Sequence, residues 1–145
     1  MQKVGLIPFD IEGNDIAILF VTSMGRGRWI LPKGNVMKKE SSISAVKREA
    51  FEEAGIKGEV LEKFATTWPI GKSSAGGVVR IPVTYYPFFV REQMDEWPER
   101  HKRQRHWALL KDSAMIVDHD DYAHVLNAFT ELSYWIREAA KEYKV

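Results

Sequence analysis

Residues 34–56 read GNVMKKESSISAVKREAFEEAGI, and this stretch decides the fold. Its second half predicts a helix over residues 41–54, because serines stand at its start, apolar residues recur at helical spacing and a glycine follows as a stop. On that helix, with Glu49 placed at zero, Glu53 lies at about 40° and Glu52 at about −60°. Three carboxylates therefore share about one third of the helix surface.

The carboxylate cluster has two interpretations. As a solvated acidic face, it would destabilise the helix slightly, since like charges three and four residues apart repel. As a cation site, it would bind Mg²⁺ or Mn²⁺, which prefer oxygen ligands and are commonly held by carboxylates together with substrate phosphates. The apolar side of the same helix is predicted to lie from roughly 60° to 200° and to pack on a sheet. Its residues are Ile43, Val46, Ala50, Phe51 and Ala54.

The spacing of glycine, arginine and glutamate along the stretch favours the cation site. Five residues separate the first glycine from the first glutamate, and seven separate that glutamate from an Arg-Glu pair. Two residues then separate the Arg-Glu pair from a Glu-Glu pair, and one residue separates the Glu-Glu pair from a glycine that an apolar residue follows. Seven such identities match a given window by chance with odds on the order of 10⁻⁹. The pattern is similar to the Nudix box, and the residues that carry it are Gly34, Glu40, Arg48, Glu49, Glu52, Glu53, Gly55 and Ile56. Ala50 departs from the pattern, because a larger aliphatic residue is usual there.

The chain thus resembles the Nudix hydrolases, and the resemblance implies a fold. That fold belongs to the α/β class and is an α/β/α sandwich around a mixed β-sheet. We expect residues 1–145 to form a single domain of this kind. Apolar residues at helical spacing predict a second, long helix over residues 119–143, on the opposite face of the sheet from the 41–54 helix.

Strands are predicted where apolar and β-branched residues cluster, at residues 4–9, 16–21, 59–68, 78–90 and 105–110. The first two of these are expected to form a β-hairpin, or two neighbouring strands with a turn between them. The small residues of the 71–77 segment predict a flexible loop.

Carried over position by position, the resemblance implies roles for the residues of the box. The expected catalytic residues are Arg48, Glu49 and Glu52. The expected metal ligands, for Mg²⁺ or Mn²⁺ as the cofactor, are the backbone carbonyl of Lys33 and the side chains of Glu49, Glu52 and Glu53. The residues expected to be structural within the motif are Gly34, Glu40 and Gly55. Which glutamate accepts the proton from water stays open.

The basic run at residues 100–106 also has two interpretations. Such runs are commonly solvated or paired with nearby acids, whereas arginine forks bind phosphate bidentately. The segments Glu96-Trp97-Pro98-Glu99 and Arg103-Gln104-Arg105-His106-Trp107 resemble the diphosphoinositol polyphosphate phosphohydrolase branch of the family. In that branch Arg103 matches a position that contacts substrate. The expected substrate-binding residues are Arg28, Lys33, Gly34, Lys72 and Arg103.

Together these features predict a metal-dependent hydrolase of phosphoanhydride bonds. Metal ions can neutralise the oxygens of a diphosphate, activate a water and stabilise the leaving phosphate. The expected partner is a small phosphorylated substrate of the nucleoside diphosphate-X type, and a diphosphoinositol polyphosphate or a dinucleoside polyphosphate fits equally. Two alternatives stay open: a non-catalytic Nudix domain that senses a ligand, and an RNA 5′-end pyrophosphohydrolase.

Composition narrows the function classes further. The 145 residues include no cysteine, which excludes thiol catalysis and cysteine-ligated metal sites. The net charge of +1 argues against a protein held on nucleic acid by bulk charge. No apolar run approaches the length of a membrane-spanning helix, and Asp10, Glu12 and Asp15 stand where a signal peptide would be apolar. We expect a cytoplasmic protein with no membrane partner, and its oligomeric state stays open.

Overall fold

The computed structural model describes residues 2–117 and 119–143, so the predicted domain boundaries at residues 1 and 145 lie outside the described residues. The described strands are β1 (Lys3–Glu12), β2 (Asp15–Thr22), β3 (Trp29–Ile30), β4 (Lys33–Asn35), β5 (Ile56–Val60), β6 (Thr66–Ser74), β7 (Gly77–Gln93) and β8 (Arg105–Leu109). The described helices are α1 (Ser42–Ala54), α2 (Asp120–Glu131) and α3 (Ser133–Lys141), and short 3₁₀ turns span Glu62–Phe64 and Leu110–Met115.

The sheet is mixed, and strand β1 lies at its centre. β1 and β2 form the predicted antiparallel hairpin, with Glu12 opposite Asp15. On its other edge β1 runs parallel to β7, with Lys3 opposite Val83. β4 pairs antiparallel with the beginning of β1, which brings the start of the 34–56 stretch into the sheet. The long strand β7 pairs with β6 along its first half and with β5 along its second.

Helices cover both faces of the sheet, as the sequence predicts. Side chains alternate between the faces along a strand, so neighbouring residues of β1 enter different cores. Val4 and Leu6 pack with α1 in one core, and Ile7 and Phe9 pack with α2 and α3 in the other. The expected α/β sandwich around a mixed sheet is therefore confirmed. Within the described residues, no helix is both long and apolar enough to cross a membrane.

Two predicted strand and loop boundaries are wrong. The 59–68 segment is not one strand, because the 3₁₀ turn at Glu62–Phe64 moves the chain from pairing with the second half of β7 to pairing with its first half. The 71–77 segment is not a loop, because β6 continues to Ser74 and pairs there with Gly77. Local composition favours a loop at this place, and pairing with β7 overrides it.

The predicted C-terminal helix is two helices, α2 and α3, which meet at Leu132. The backbone of Leu132 has φ −97° and ψ 3°, outside the α-helical region. Both helices contribute to the same core, through residues such as Phe129 and Ile136. A hydrophobic period therefore continues through the break, and periodicity alone does not reveal it.

Helix α1 ends at the predicted residue and begins one residue later than predicted, because Ser41 is its N-cap, and its buried side is rotated from the prediction. Its buried residues are Ala45, Val46, Glu49, Ala50, Glu53 and Ala54. With Glu49 at zero, they span about −40° to 140°. Phe51, predicted to pack on the sheet, is exposed instead. Two carboxylates thus lie in the middle of the buried side of the helix.

Gly55 ends α1 in the left-handed conformation, at φ 65°, and a Cβ there would lie 2.8 Å from the Trp97 ring. Gly13 in the β1–β2 turn offers a matched control, because its φ is 61° but open space surrounds it. We expect Gly13→Ala to lower the free energy of unfolding by about 1 kcal/mol through backbone strain alone. Gly55→Ala should lose about 1–3 kcal/mol more through overpacking. Urea unfolding of both variants measures the difference, and equal losses would contradict the contact with Trp97.

Candidate active site

Arg48 lies at the centre of the carboxylate cluster. Its Nε and Nη2 donate to the two oxygens of Glu40, at 2.8 and 3.0 Å. Its Nη1 donates to Glu49 at 2.5 Å and to Glu52 at 3.0 Å. Nη2 also donates to the backbone carbonyl of Asn35, at 2.8 Å. One guanidinium therefore joins the loop before α1 to the acidic side of the helix.

Glu40 organises that loop. Its Oε1 accepts a hydrogen bond from the Met37 amide at 2.9 Å, in addition to the bonds from Arg48. The Arg48 guanidinium, helped by the Met37 amide, lowers the pKa of Glu40 to about 2. Glu40 is thus held as an anion at the junction of the loop and the helix, and its structural role in the motif stays a prediction.

Glu49 and Glu53 are buried, with exposed fractions of 9% and 4%. Burial raises the pKa of Glu53, a hydrogen bond with the Glu49 carboxyl raises it further, and the charge of Arg103 opposes the shift. Two carboxyl groups side by side in a poorly solvated place are stable as anions only with strong positive charge beside them. A divalent cation supplies such charge.

The backbone at Gly34 lies against the Glu49 carboxyl group. A Cβ at Gly34 would stand 2.3 Å from Cδ of Glu49, so a side chain fits here only if the Glu49 carboxyl moves. Strand β4 is fixed by its pairing with β1, in which Gly34 lies opposite Val4 and Lys33 opposite Gly5. The expected backbone ligand, the Lys33 carbonyl, belongs to the peptide bond between Lys33 and Gly34. It therefore lies next to the glycine that packs on Glu49.

These groups fit a magnesium or manganese site that is completed by substrate and water. Within residues 2–117 and 119–143, no three acidic or imidazole side chains converge into a ready-made metal cage. Mg²⁺ seldom uses such a cage, since it is bound through one or two carboxylates and keeps waters and substrate phosphates as further ligands. Glu49, Glu53 and the backbone beside Gly34 offer hard oxygen donors of that kind.

Lys3 and Lys33 lie near the carboxylates, Lys72 lies near Lys3, and of these lysines Lys3 was not predicted. Burial, followed by the like charges of Lys72 and Lys33, lowers the pKa of Lys3, while Glu49 opposes the shift. Lys3 comes to the site only because β1 pairs with β4, a contact that no local pattern in the sequence reveals. The Lys33 ammonium donates to the Tyr122 hydroxyl at 3.2 Å, and burial lowers its pKa. Positive charge from Lys3 and Lys33 therefore lies near the buried carboxylates.

The two arginines predicted to bind substrate lie in different surroundings. Arg28 is exposed and lines a cleft of about 150 Å³ that Trp29 and Tyr122 also line. Arg103 borders an open groove of about 570 Å³, but its side chain is only 10% exposed. Its guanidinium donates to Glu99 at 2.6 Å and to the Thr22 carbonyl at 2.8 Å. The substrate contact expected of Arg103 stays a prediction.

The NUDIX domain model matches residues 1–129. The chain belongs to this family. Nudix hydrolase 21, chloroplastic, of Arabidopsis thaliana is 31% identical over 132 residues, which are 88% of this chain and 65% of that protein. Diphosphoinositol polyphosphate phosphohydrolase 3-beta of Bos taurus is 25% identical over 80% of this chain and 68% of its own length. This Nudix chain spans less than two thirds of the Arabidopsis relatives that it matches first, 65% and 59% of two of them.

Solved structures share the fold. A C. elegans Ap4A hydrolase has a TM-score of 0.69 and 23% identity, covering 90% of this chain and 96% of that one. The NUDIX domain of Shewanella oneidensis NrtR, solved with ADP ribose, has a TM-score of 0.60 and 16% identity, covering 90% and 86% of the two chains. At these identities the likeness concerns the architecture of the Nudix domain.

The contact between Gly34 and Glu49 predicts a selective defect. Gly34→Ala should displace the Glu49 carboxyl and weaken Mn²⁺ binding by about 10–100-fold, the range seen when groups that orient a ligand are lost. The melting temperature should change little, because the new methyl meets the far end of a flexible side chain. Gly76→Ala is the control, since nothing lies within 4 Å of a Cβ at that turn. Mn²⁺ titration by electron paramagnetic resonance measures both, and equal affinities would contradict this packing.

Proposed function

We propose that this Nudix chain is a metal-dependent hydrolase that cleaves a phosphoanhydride bond in a nucleoside diphosphate-X substrate, with Mg²⁺ or Mn²⁺ as cofactor. One observation carries the proposal: Glu49 and Glu53 are buried side by side on α1, with Glu49 packed against the Gly34 backbone. A purely structural helix gains nothing from that arrangement, since the carboxylates repel. A cation between protein and diphosphate makes it favourable.

The three glutamates would have different roles, according to how exposed each side chain is. Glu49 and Glu53, the buried pair, would hold the cation together with the Lys33 carbonyl. Glu52 is the most open of the three, with 35% of its side chain exposed and one oxygen bound by Arg48. We assign to Glu52 the acceptance of the proton from the attacking water, because a base must reach solvent. When bound, the metal would neutralise charge on the diphosphate and lower the pKa of that water.

Arg48 would act by holding these groups. It contacts Glu49 and Glu52 at once, so it fixes the separation between a proposed ligand and the proposed base. Lys3, Lys33 and Lys72 would bind the phosphate oxygens, because ammonium groups serve as point charges for phosphate.

The surface around the site favours a nucleoside polyphosphate. The cleft beside Trp29 and Tyr122, of about 150 Å³, has room for one ring system rather than for a whole ligand. Ser23 lines both this cleft and the open groove of about 570 Å³, which Lys102 also lines. A ring with a phosphate chain would occupy both. A diphosphoinositol polyphosphate is the second candidate, supported by the basic side of the groove and by the named activity of the bovine relative.

We further propose that residues 1–145 act as one Nudix domain, because α2 and α3 complete one of its two cores. The expected cytoplasmic location stays a prediction, and several matched relatives are named as chloroplastic or mitochondrial.

A turnover panel tests the proposed activity. With Mg²⁺ or Mn²⁺, the protein should release phosphate-containing products from dinucleoside polyphosphates or ADP-ribose faster than from a diphosphoinositol polyphosphate, as followed by phosphorus NMR. Faster turnover of the inositol compound would favour the second candidate. Turnover only of 5′-triphosphorylated RNA would favour the RNA pyrophosphohydrolase. Binding without turnover of any compound would indicate a ligand sensor and contradict the proposal.

Glu53→Gln tests the metal assignment. The change removes a ligand's charge at nearly constant volume, so kcat should fall by more than about 100-fold while the circular dichroism spectrum is unchanged. Glu40→Gln should have a smaller effect, since Glu40 contacts the loop and Arg48. Glu131→Gln, at an exposed position of α2, is the matched control. Near-normal turnover by Glu53→Gln at saturating Mg²⁺ would remove Glu53 from the proposed site.

A further inference from the structure

Residues 94–105, here named the capping segment, cover the C-terminal end of α1. The last carbonyl groups of a helix lack partners within the helix. Here the segment donates a hydrogen bond to four carbonyls in succession. The bonds run from the Glu99 amide to Glu52 (3.1 Å), from Trp97 Nε1 to Glu53 (3.1 Å), from Arg105 Nη1 to Ala54 (3.0 Å) and from the Met94 amide to Gly55 (2.8 Å).

The capping segment is itself tightly organised. The Trp97 ring packs on Gly55, where a Cβ would clash with it. The Arg105 guanidinium lies over that ring, 3.8 Å from its centroid, and its Nη1 also donates to the Met94 carbonyl at 2.9 Å. The end of α1 that carries two of the three glutamates is therefore fixed by this segment rather than left to fray.

Arg103 extends the same organisation into the carboxylate cluster. Its Nε donates to Glu99 at 2.6 Å and its Nη1 to the Thr22 carbonyl at 2.8 Å. These bonds leave Nη2 3.4 Å from Oε1 of Glu53. The guanidinium is thus anchored at the end of β2 and within the capping segment, and it forms a longer ion pair with Glu53.

We propose that Arg103 is a positioning residue, which holds the Glu53 carboxylate where a divalent cation binds. The inference rests on the proposed function, because that function makes Glu53 a metal ligand. The basic run then divides in two: Arg103 and Arg105 turn inward to α1, and His101 and Lys102 face the open groove. With two hydrogen bonds and one ion pair to protein groups and only 10% of its side chain exposed, Arg103 presents little surface to a polyphosphate.

Measuring metal binding in the absence of substrate distinguishes a positioning role of Arg103 from a contact between Arg103 and the substrate. Arg103→Ala should weaken the binding of Mn²⁺ alone by about 10–100-fold, because partners that orient a ligand contribute that much. Its kcat/KM should fall by a similar factor for every substrate of the panel, large or small. Arg103→Lys should restore little, since one ammonium cannot span Glu99, Thr22 and Glu53. Arg91→Ala, at an exposed arginine of β7, is the control.

A double-mutant cycle asks whether Arg103 acts through Glu53. In a Glu53→Gln background, Arg103→Ala should reduce Mn²⁺ affinity by less than about threefold, because the group that it positions has already lost its charge. Independent effects that multiply would overturn the inference. Unchanged Mn²⁺ affinity with a loss confined to highly phosphorylated substrates would overturn it too, and would make Arg103 a substrate contact.

Two further measurements keep the outcomes distinct. If Arg103→Ala does not fold, Glu99→Gln loosens the anchor and should lower Mn²⁺ affinity in the same direction, and no change in that variant would contradict positioning. Failure of the unaltered protein to bind Mn²⁺, or to turn over any substrate, would defeat the proposed function. Intact binding and turnover in the unaltered protein, with Arg103→Ala indistinguishable from it, would defeat only the inference.

Discussion

Two carboxylates on the buried side of one helix impose the main constraint on this protein. Glu49 and Glu53 repel each other and lose solvation, so helix α1 would avoid this arrangement if burial and charge were its only determinants. Cationic groups approach the pair from several sides. Arg48 reaches it from within the helix, and Arg103 reaches it from the capping segment. The fold holds two carboxyl groups together at a place where a divalent cation and a diphosphate would stabilise both as anions.

The sheet makes this arrangement possible by placing distant parts of the chain around α1. The pairing of β1 with β4 brings Gly34 against Glu49 and carries Lys3 into the site. The return of the chain between β7 and β8 places residues 94–105 over the end of the helix. Each contact restricts a glutamate that we propose as a metal ligand, and groups that orient ligands affect metal affinity strongly.

The sequence predicts the helix, its glycine stop and the hairpin because these depend on local patterns, and it predicts the acidic cluster because spacing along one helix determines it. It does not predict that Glu49 and Glu53 face inward. Helical periodicity assigns only apolar residues to the buried side, so it places Phe51 there and leaves the two glutamates outside it. It does not predict Lys3, which strand pairing alone brings to the site. The basic run shows the same limit, because composition cannot distinguish Arg103, which turns inward, from Lys102, which faces solvent.

The central claim is that α1 presents a cation site formed by its buried glutamates and the backbone beside Gly34. The most direct test is the anomalous diffraction of crystals grown with Mn²⁺ and a non-hydrolysable diphosphate. We expect a manganese peak within coordination distance of the Glu49 and Glu53 carboxylates and of the Lys33 carbonyl, with a phosphate oxygen on the same ion. A diphosphate bound with no manganese at these carboxylates, or manganese bound elsewhere on the chain, would contradict it.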